Sequence, residues 1–213
     1  MALRSGVYGQ YYGSTFTESK PLTTAEMAVN ARYIFSALKV QGWSVNAISA
    51  MLGNMEAEST MNPGRWQSDN VGATSNGYGL VQWTPSTNYT SWCSQMGYAD
   101  PSEMDNNISR ILYEVENGLQ WIATSEHNMS FKEFTTSSKS VGELARAFLL
   151  CYERPADQST SVQVYRASLA NYWYKDLTGE TPSTPVDPVI KKKSNFKFYL
   201  FNTQRRKTWI RQH

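Results

Sequence analysis

A helix forced to stop at Pro63 constrains this chain more than any other feature. Val45, Ile48, Met51, Leu52 and Met55 recur at helical spacing behind Ser44, a residue type that caps helix N-termini. Asn62-Pro63-Gly64 ends the pattern, because the residue before proline avoids the helical region and proline has no N–H to donate. Glu56 and Glu58 therefore fall at the end of the helix. They project about 200° apart, one on each shoulder of the apolar stripe. Periodicity does not choose between them. The C-terminal end of a helix carries partial negative charge, and Met55 and Met61 are apolar neighbours. A carboxyl placed there is expected to hold its proton more tightly than usual.

Other elements follow from the same signals. Thr23-Thr24-Ala25-Glu26 fits a capping box and predicts a helix to about Lys39, with Gln41-Gly42 ending it. Residues 64–83 have no helical period, and Asn76-Gly77 is a hairpin signal, so a small β element is expected there. Thr84-Pro85 predicts a helix start, with Thr84 as N-cap. A further helix is expected from about Met104 to Gly118, and shorter ones over 130–135, 140–152 and 161–174. Residues 1–22 read as a polar N-terminal arm or docking strand. Residues 23–177 read as the packed domain. Residues 178–190 are Pro-rich and read as a linker, and 191–213 as a basic, aromatic tail.

Charge is distributed unevenly. The formal net charge is +2, yet residues 191–213 hold eight basic groups and no acid, leaving 12 basic against 18 acidic residues before them. An acidic domain without a recognised motif argues against nucleic-acid binding. No apolar run reaches the roughly 20 residues needed to cross a bilayer, so no membrane role is expected. The first 20 residues hold no apolar signal core, which leaves export to another route. Two cysteines, Cys93 and Cys151, in apolar surroundings read as buried free thiols. With two histidines in all, one of them terminal, neither a metal site nor a cofactor is expected. The 7 Trp, 13 Tyr and 8 Phe can serve either a core or an aromatic groove.

Glu58-Ser59-x-x-Asn62-Pro63, followed by Gly79-Leu80-Val81-Gln82 and Thr84-Pro85, resembles the pattern of the lysozyme-like lytic transglycosylase superfamily. The longer string Gly53 to Pro63, with Arg65-Trp66-Gln67, Gly77 to Pro85 and Tyr152-Glu153-Arg154-Pro155-Ala156, is closer to one branch, the phage tail lysozymes. That branch includes the amino-terminal domains of tail-knob peptidoglycan-degrading proteins of phi29-like phages. The likeness covers roughly residues 22–177. It implies an α+β, predominantly helical, lysozyme-like fold with a small β element beside the groove.

It also implies roles. Glu58 takes the general acid, which gives a proton to the leaving oxygen of a glycosidic bond. Gln82 and Tyr78 become candidate substrate contacts, or else turn packing. Trp66 and Trp83 become candidates for stacking on sugars, or else core. Tyr152-Glu153 resembles a third groove motif, in which Glu153 either steers substrate or pairs with Arg154. Asp69, in the polar loop after Trp66, is the candidate second carboxylate, or else an Asx-turn residue. The implied activity is a muramidase cutting β-1,4 bonds between MurNAc and GlcNAc of bacterial peptidoglycan. Its implied place is a phage tail, among other tail proteins, at cell entry. The alternatives are a lytic transglycosylase, a free endolysin, and a non-catalytic tail or glycan-binding module. Such tail-knob proteins usually continue into a zinc peptidase domain. No His-rich motif follows the linker here, so no peptidase is expected.

Overall fold

A computed structural model describes residues 1–182. The linker beyond 182 and the basic tail lie outside the described residues. The chain opens with a hairpin, β1 (Ala2–Gly6) and β2 (Gly9–Gly13), paired antiparallel with Leu3 opposite Tyr12. Seven α-helices follow: α1 (Thr24–Val40), α2 (Val45–Ser59), α3 (Thr87–Gln95), α4 (Met104–Asn117), α5 (Phe131–Thr136), α6 (Val141–Phe148) and α7 (Thr160–Thr178). The fold is α+β and predominantly helical, as the sequence implied.

Helix α2 is the centre. Every residue from Ala47 to Met55 is buried, so the expected apolar stripe widens to an apolar cylinder. It packs against α6 and α7, and α1 covers it further. Gly53 makes the tightest of these approaches. A Cβ there would lie 2.4 Å from the backbone N of Ala170 on α7. Ser44 caps α2 as expected, accepting from Ala47 N at 3.1 Å. The helix ends with Thr60 and Met61 both in the left-handed region.

Local signals elsewhere hold well. Thr23 and Glu26 form the capping box of α1, and Ser130–Glu133 and Ser140–Glu143 repeat the device on α5 and α6. Cys93 and Cys151 are buried and unbonded to each other. No helix among the described residues is long and apolar enough to cross a membrane.

Three expectations need correction. The expected arm, residues 1–22, is not loose. Arg4 pairs with Asp100 at 2.8 Å and with Glu103, and Asn30 on α1 exchanges two 2.7 Å bonds with the backbone of Tyr12. The two-stranded sheet is this N-terminal hairpin. The 64–83 loop has instead two isolated bridges, Trp66 with Tyr78 and Tyr78 with Trp83. Finally, Thr84 does not cap α3, which begins at Thr87. The Thr84 hydroxyl donates to Gln82 O at 2.9 Å, and Ser86 N is held by Asn76 O at 2.8 Å.

Candidate active site

The motif glutamate emerges where α2 leaves the core. Glu58 is one-fifth exposed and lines an open groove of about 530 Å³ with Arg65, Gln67, Gln82, Glu153 and Arg154. A second hollow of about 350 Å³ continues it and shares Gln82, Thr84, Glu153 and Arg154. The two together make an extended cleft.

The geometry separates the two glutamates that periodicity could not. Glu56 turns to α7 and accepts from Trp173 Nε1 at 2.7 Å. Burial raises its pKa, opposed by that bond. It is absent from the lining of the groove, which Glu58 enters.

The rest of the motif is scaffold. Ser59 Oγ donates to Leu80 O at 2.8 Å and so ties the end of α2 to the Gly79–Gln82 turn. Asn62 Oδ1 accepts from Ser14 N and Gly64 N, at 3.0 and 2.9 Å, while its Nδ2 donates to Lys20 O at 2.7 Å. A buried Asn with these partners is well satisfied, and it pins residues 14–20 beside the motif. Gly79, at φ +84°, completes the turn. Asn107 Oδ1 lies only 2.7 Å from where its Cβ would stand.

The surroundings of Glu58 differ from those expected. In place of an apolar pocket it has a cation, Arg166 of α7, which donates to its carboxylate. The same guanidinium donates to Asn54 O at 2.7 Å, so it faces both the acid and a carbonyl of α2. A raised carboxyl on this groove is that of Glu153. Leu149–Glu153 form a π-helical turn that prolongs α6, and Arg154 closes it in the left-handed region. Such turns are rare and recur at functional sites. Burial, then the charge of Glu58, push the Glu153 carboxyl well above the usual range, with Arg166 opposing them. The ion pair with Arg154 that the sequence allowed is not formed, since Arg154 Nη1 donates to Gln120 O and Cys151 O.

The aromatic candidates fall on the core side. Trp66, Tyr78, Trp83 and Tyr152 are all between 0 and 4% exposed. Their rings pack into walls: Trp66 lies 4.6 Å from Tyr78, and Trp83 stacks on Tyr89 at 4.4 Å between centroids. Trp66 still lines the larger hollow, and Trp83 and Tyr152 the smaller, while Tyr78 lines neither. Gln82 lines both hollows, with φ +51°, and its amide donates to Gly79 O and Arg65 O at 2.9 and 3.1 Å. Asp69 is exposed and lies outside the groove lining. Arg65 pairs with it at 2.9 Å and Ser19 Oγ donates to it at 2.7 Å, which makes it a loop fastener.

Two residues that matter here were not singled out from sequence. Arg166 carried no signal, since its partner lies 108 positions away. Glu114 is buried and accepts from Trp83 Nε1 at 2.9 Å, Arg110 Nε at 2.8 Å and Tyr152 Oη at 2.5 Å. It thus joins the walls that bear Trp83 and Tyr152. The i, i+4 spacing of Arg110 and Glu114 was the one available hint.

Comparison with known proteins agrees with this architecture. The profile described as phage tail lysozyme matches residues 29–177. Morphogenesis protein 1 of Bacillus phage B103 is 50% identical over 165 residues, covering 78% of this chain and 44% of that protein. The chain therefore spans less than half the length of that relative. With the family profile matched over most of its length, the chain belongs to the phage tail lysozyme family.

Proposed function

We propose that the chain cleaves the glycan strand of bacterial peptidoglycan at the β-1,4 bond between MurNAc and GlcNAc, with Glu58 as general acid. One observation carries this reading: of the two glutamates at the end of α2, only Glu58 lines an open cleft, and a second carboxyl, Glu153, lines the same cleft. A cleft with acids on its wall is what protonation of a glycosidic oxygen requires. The length of the two joined hollows suits an extended polymer. The name of the phage B103 relative, a morphogenesis protein, supports a place in the virion tail, where the enzyme opens the wall at entry.

Gln82, which lines both hollows, is the substrate contact this reading retains among the turn residues. Trp66 on the larger hollow, and Trp83 and Tyr152 on the smaller, border the substrate by their edges, and Tyr78 acts by shaping the wall. A second reading concerns the product. Asp69 is fastened to Arg65 and Ser19 and lies outside the groove lining, so it is not a ready base for water. This favours attack by the substrate's own 6-hydroxyl, which leaves a 1,6-anhydro end. Digestion of purified peptidoglycan followed by mass spectrometry tests both readings. Hydrolysis gives reducing ends, and internal attack gives ends lighter by one water. Glu58→Gln is expected to lower cleavage by about 10²–10⁴-fold, the usual contribution of a general acid. Wild-type and Glu58→Gln proteins that bind walls and release nothing would leave a binding module in place of an enzyme.

A further inference from the structure

The acids around the groove differ in their partners. Glu58, Glu114 and Asp69 each have a cation in contact, namely Arg166, Arg110 and Arg65. Glu153 has no such partner among the described residues. Its neighbour Arg154 directs Nη1 to two backbone carbonyls. Oε1 of Glu153 is buried with no hydrogen-bond partner. Glu153 also stands where the two hollows meet, lining both, whereas Glu58 lines only the larger.

A half-buried carboxylate whose enclosed oxygen has neither a cation nor a donor costs more than the neutral acid, so the acid is the form such a place selects. Of the two carboxyls, Arg166 contacts Glu58 and not Glu153. That contact suits a carboxylate at Glu58 and an acid at Glu153. We propose that Glu58 and Glu153 share a single proton, and that Glu153 is the positioning residue that keeps it in the groove until Glu58 delivers it. This rests on the reading of Glu58 as the acid.

The groups facing Glu153 fit. Burial acts first, and Glu58 from α2 and Glu114 from α4 add to it, while Arg166 from α7 and Arg154 from its own turn oppose. Tyr152 beside it stays neutral, its phenol raised by burial and by Glu114. In the structure Arg166 donates to Glu58 while Oε1 of Glu153 has no partner, an arrangement that suits a charge on the first and a proton on the second. In the other state Glu58 is the acid and the charge sits on Glu153, where Arg166 and Arg154 favour it without touching it. During cleavage the O–H of Glu58 breaks and its proton goes to the glycosidic oxygen as the C1–O bond opens. The hydroxyl that attacks C1 gives up its own proton to the pair. The pair thus starts and ends a turnover with one proton.

The test uses the full chain with Glu153→Gln, Glu153→Asp and, as reference, Glu58→Gln. Carbon-13 titration of the glutamate carboxyls is expected to show Glu58 and Glu153 titrating as a coupled pair in the wild type. In Glu153→Gln a single-step curve should remain at Glu58, completed at lower pH. In kcat/KM against pH, Glu153→Gln should move the alkaline limb to lower pH. A limb one unit lower means about a tenfold loss on the alkaline side. Glu153→Asp should restore the limb. A Glu58 curve identical in wild type and Glu153→Gln overturns the proposal, and so does an equal loss of activity at every pH. Full activity in Glu58→Gln would instead remove the reading of Glu58 as acid, while the carboxyl titration would still judge the coupling.

Discussion

The groove has two kinds of wall. One is the end of α2 against α7, where shape does the holding: Gly53 lets the helices close to backbone contact, and Ala170 and Trp173 fill the seam. The other is the loop from Arg65 to Trp83, which has no regular element beyond a short 3₁₀ turn at Gln67–Asp69. It is held by named polar pins. Asn107 on α4 accepts from Leu80 N at 3.0 Å and donates to Tyr89 Oη and Glu103 O, each at 3.0 Å. The helical wall presents Glu58, and the loop wall presents Gln82. Helix packing tolerates little change of volume, whereas a pinned loop tolerates little loss of a donor or acceptor.

The largest effect should come from breaking the first wall. In Gly53→Val even the first carbon of the side chain overlaps the α7 backbone, so the helices must separate. We expect a loss of about 3 kcal/mol or more, at the upper end for overpacked cores, read as a lower urea midpoint of the whole domain. The second wall should fail differently. Asn107→Ala leaves Leu80 N unpaired in a buried place and takes one donor each from Pro101 O and Glu103 O. The expected loss is about 2–3 kcal/mol. Hydrogen exchange should quicken at residues 78–83 before it does in α2 or α7. Equal quickening everywhere would break the contrast between the walls.

The two walls also differed in how much the sequence disclosed. The helical one was readable because its signals are local: Ser44 as cap, the apolar period, and Pro63 as terminator. What periodicity missed is that α2 is buried all round, since Ser49, Gly53 and Asn54 look neutral until other helices surround them. The loop was misread as a small β element at Asn76-Gly77, because its form is set by Asn107 and Ser59, which lie outside it. Family resemblance picked out Glu58 over Glu56, and the structure then supplied the physical difference, the turn of Glu56 toward Trp173. Arg166 and Glu114 were invisible for the same reason as the loop pins. Their partners are brought close only by the folded chain.

A smaller effect is expected where the walls join. Ser59→Ala removes the hydroxyl that links the end of α2 to Leu80 O, and it leaves that carbonyl without this donor. About 1 kcal/mol should be lost, the usual net value of one such bond. The consequence for cleavage should exceed that for stability, because the Gly79–Gln82 turn is set relative to Glu58 through this bond. A melting curve and a peptidoglycan digest on the same preparation give the two numbers. A variant that loses stability and keeps full cleavage would show that the turn is positioned by Asn107 alone.

The smallest effect, and the sharpest in sign, concerns Glu153 and pH. Its carboxyl is raised in the folded chain by burial first and by Glu58 next. The unfolded chain releases that proton near an ordinary glutamate value, about 4.3. Between that value and the higher folded one, the native state binds more protons than the unfolded state. Stability from this group is therefore complete below about pH 4.3 and is lost as pH rises toward the folded value. Glu153→Gln cannot ionise, so it removes the slope. Urea unfolding of both proteins at acidic, neutral and mildly basic pH should show the variant gaining on the wild type as pH increases. Arg166→Gln should extend the wild-type slope to higher pH, because the cation that opposes the rise is gone. A gap between wild type and Glu153→Gln that stays constant with pH would mean that Glu153 ionises freely in the fold, and the groove would then carry no stored proton.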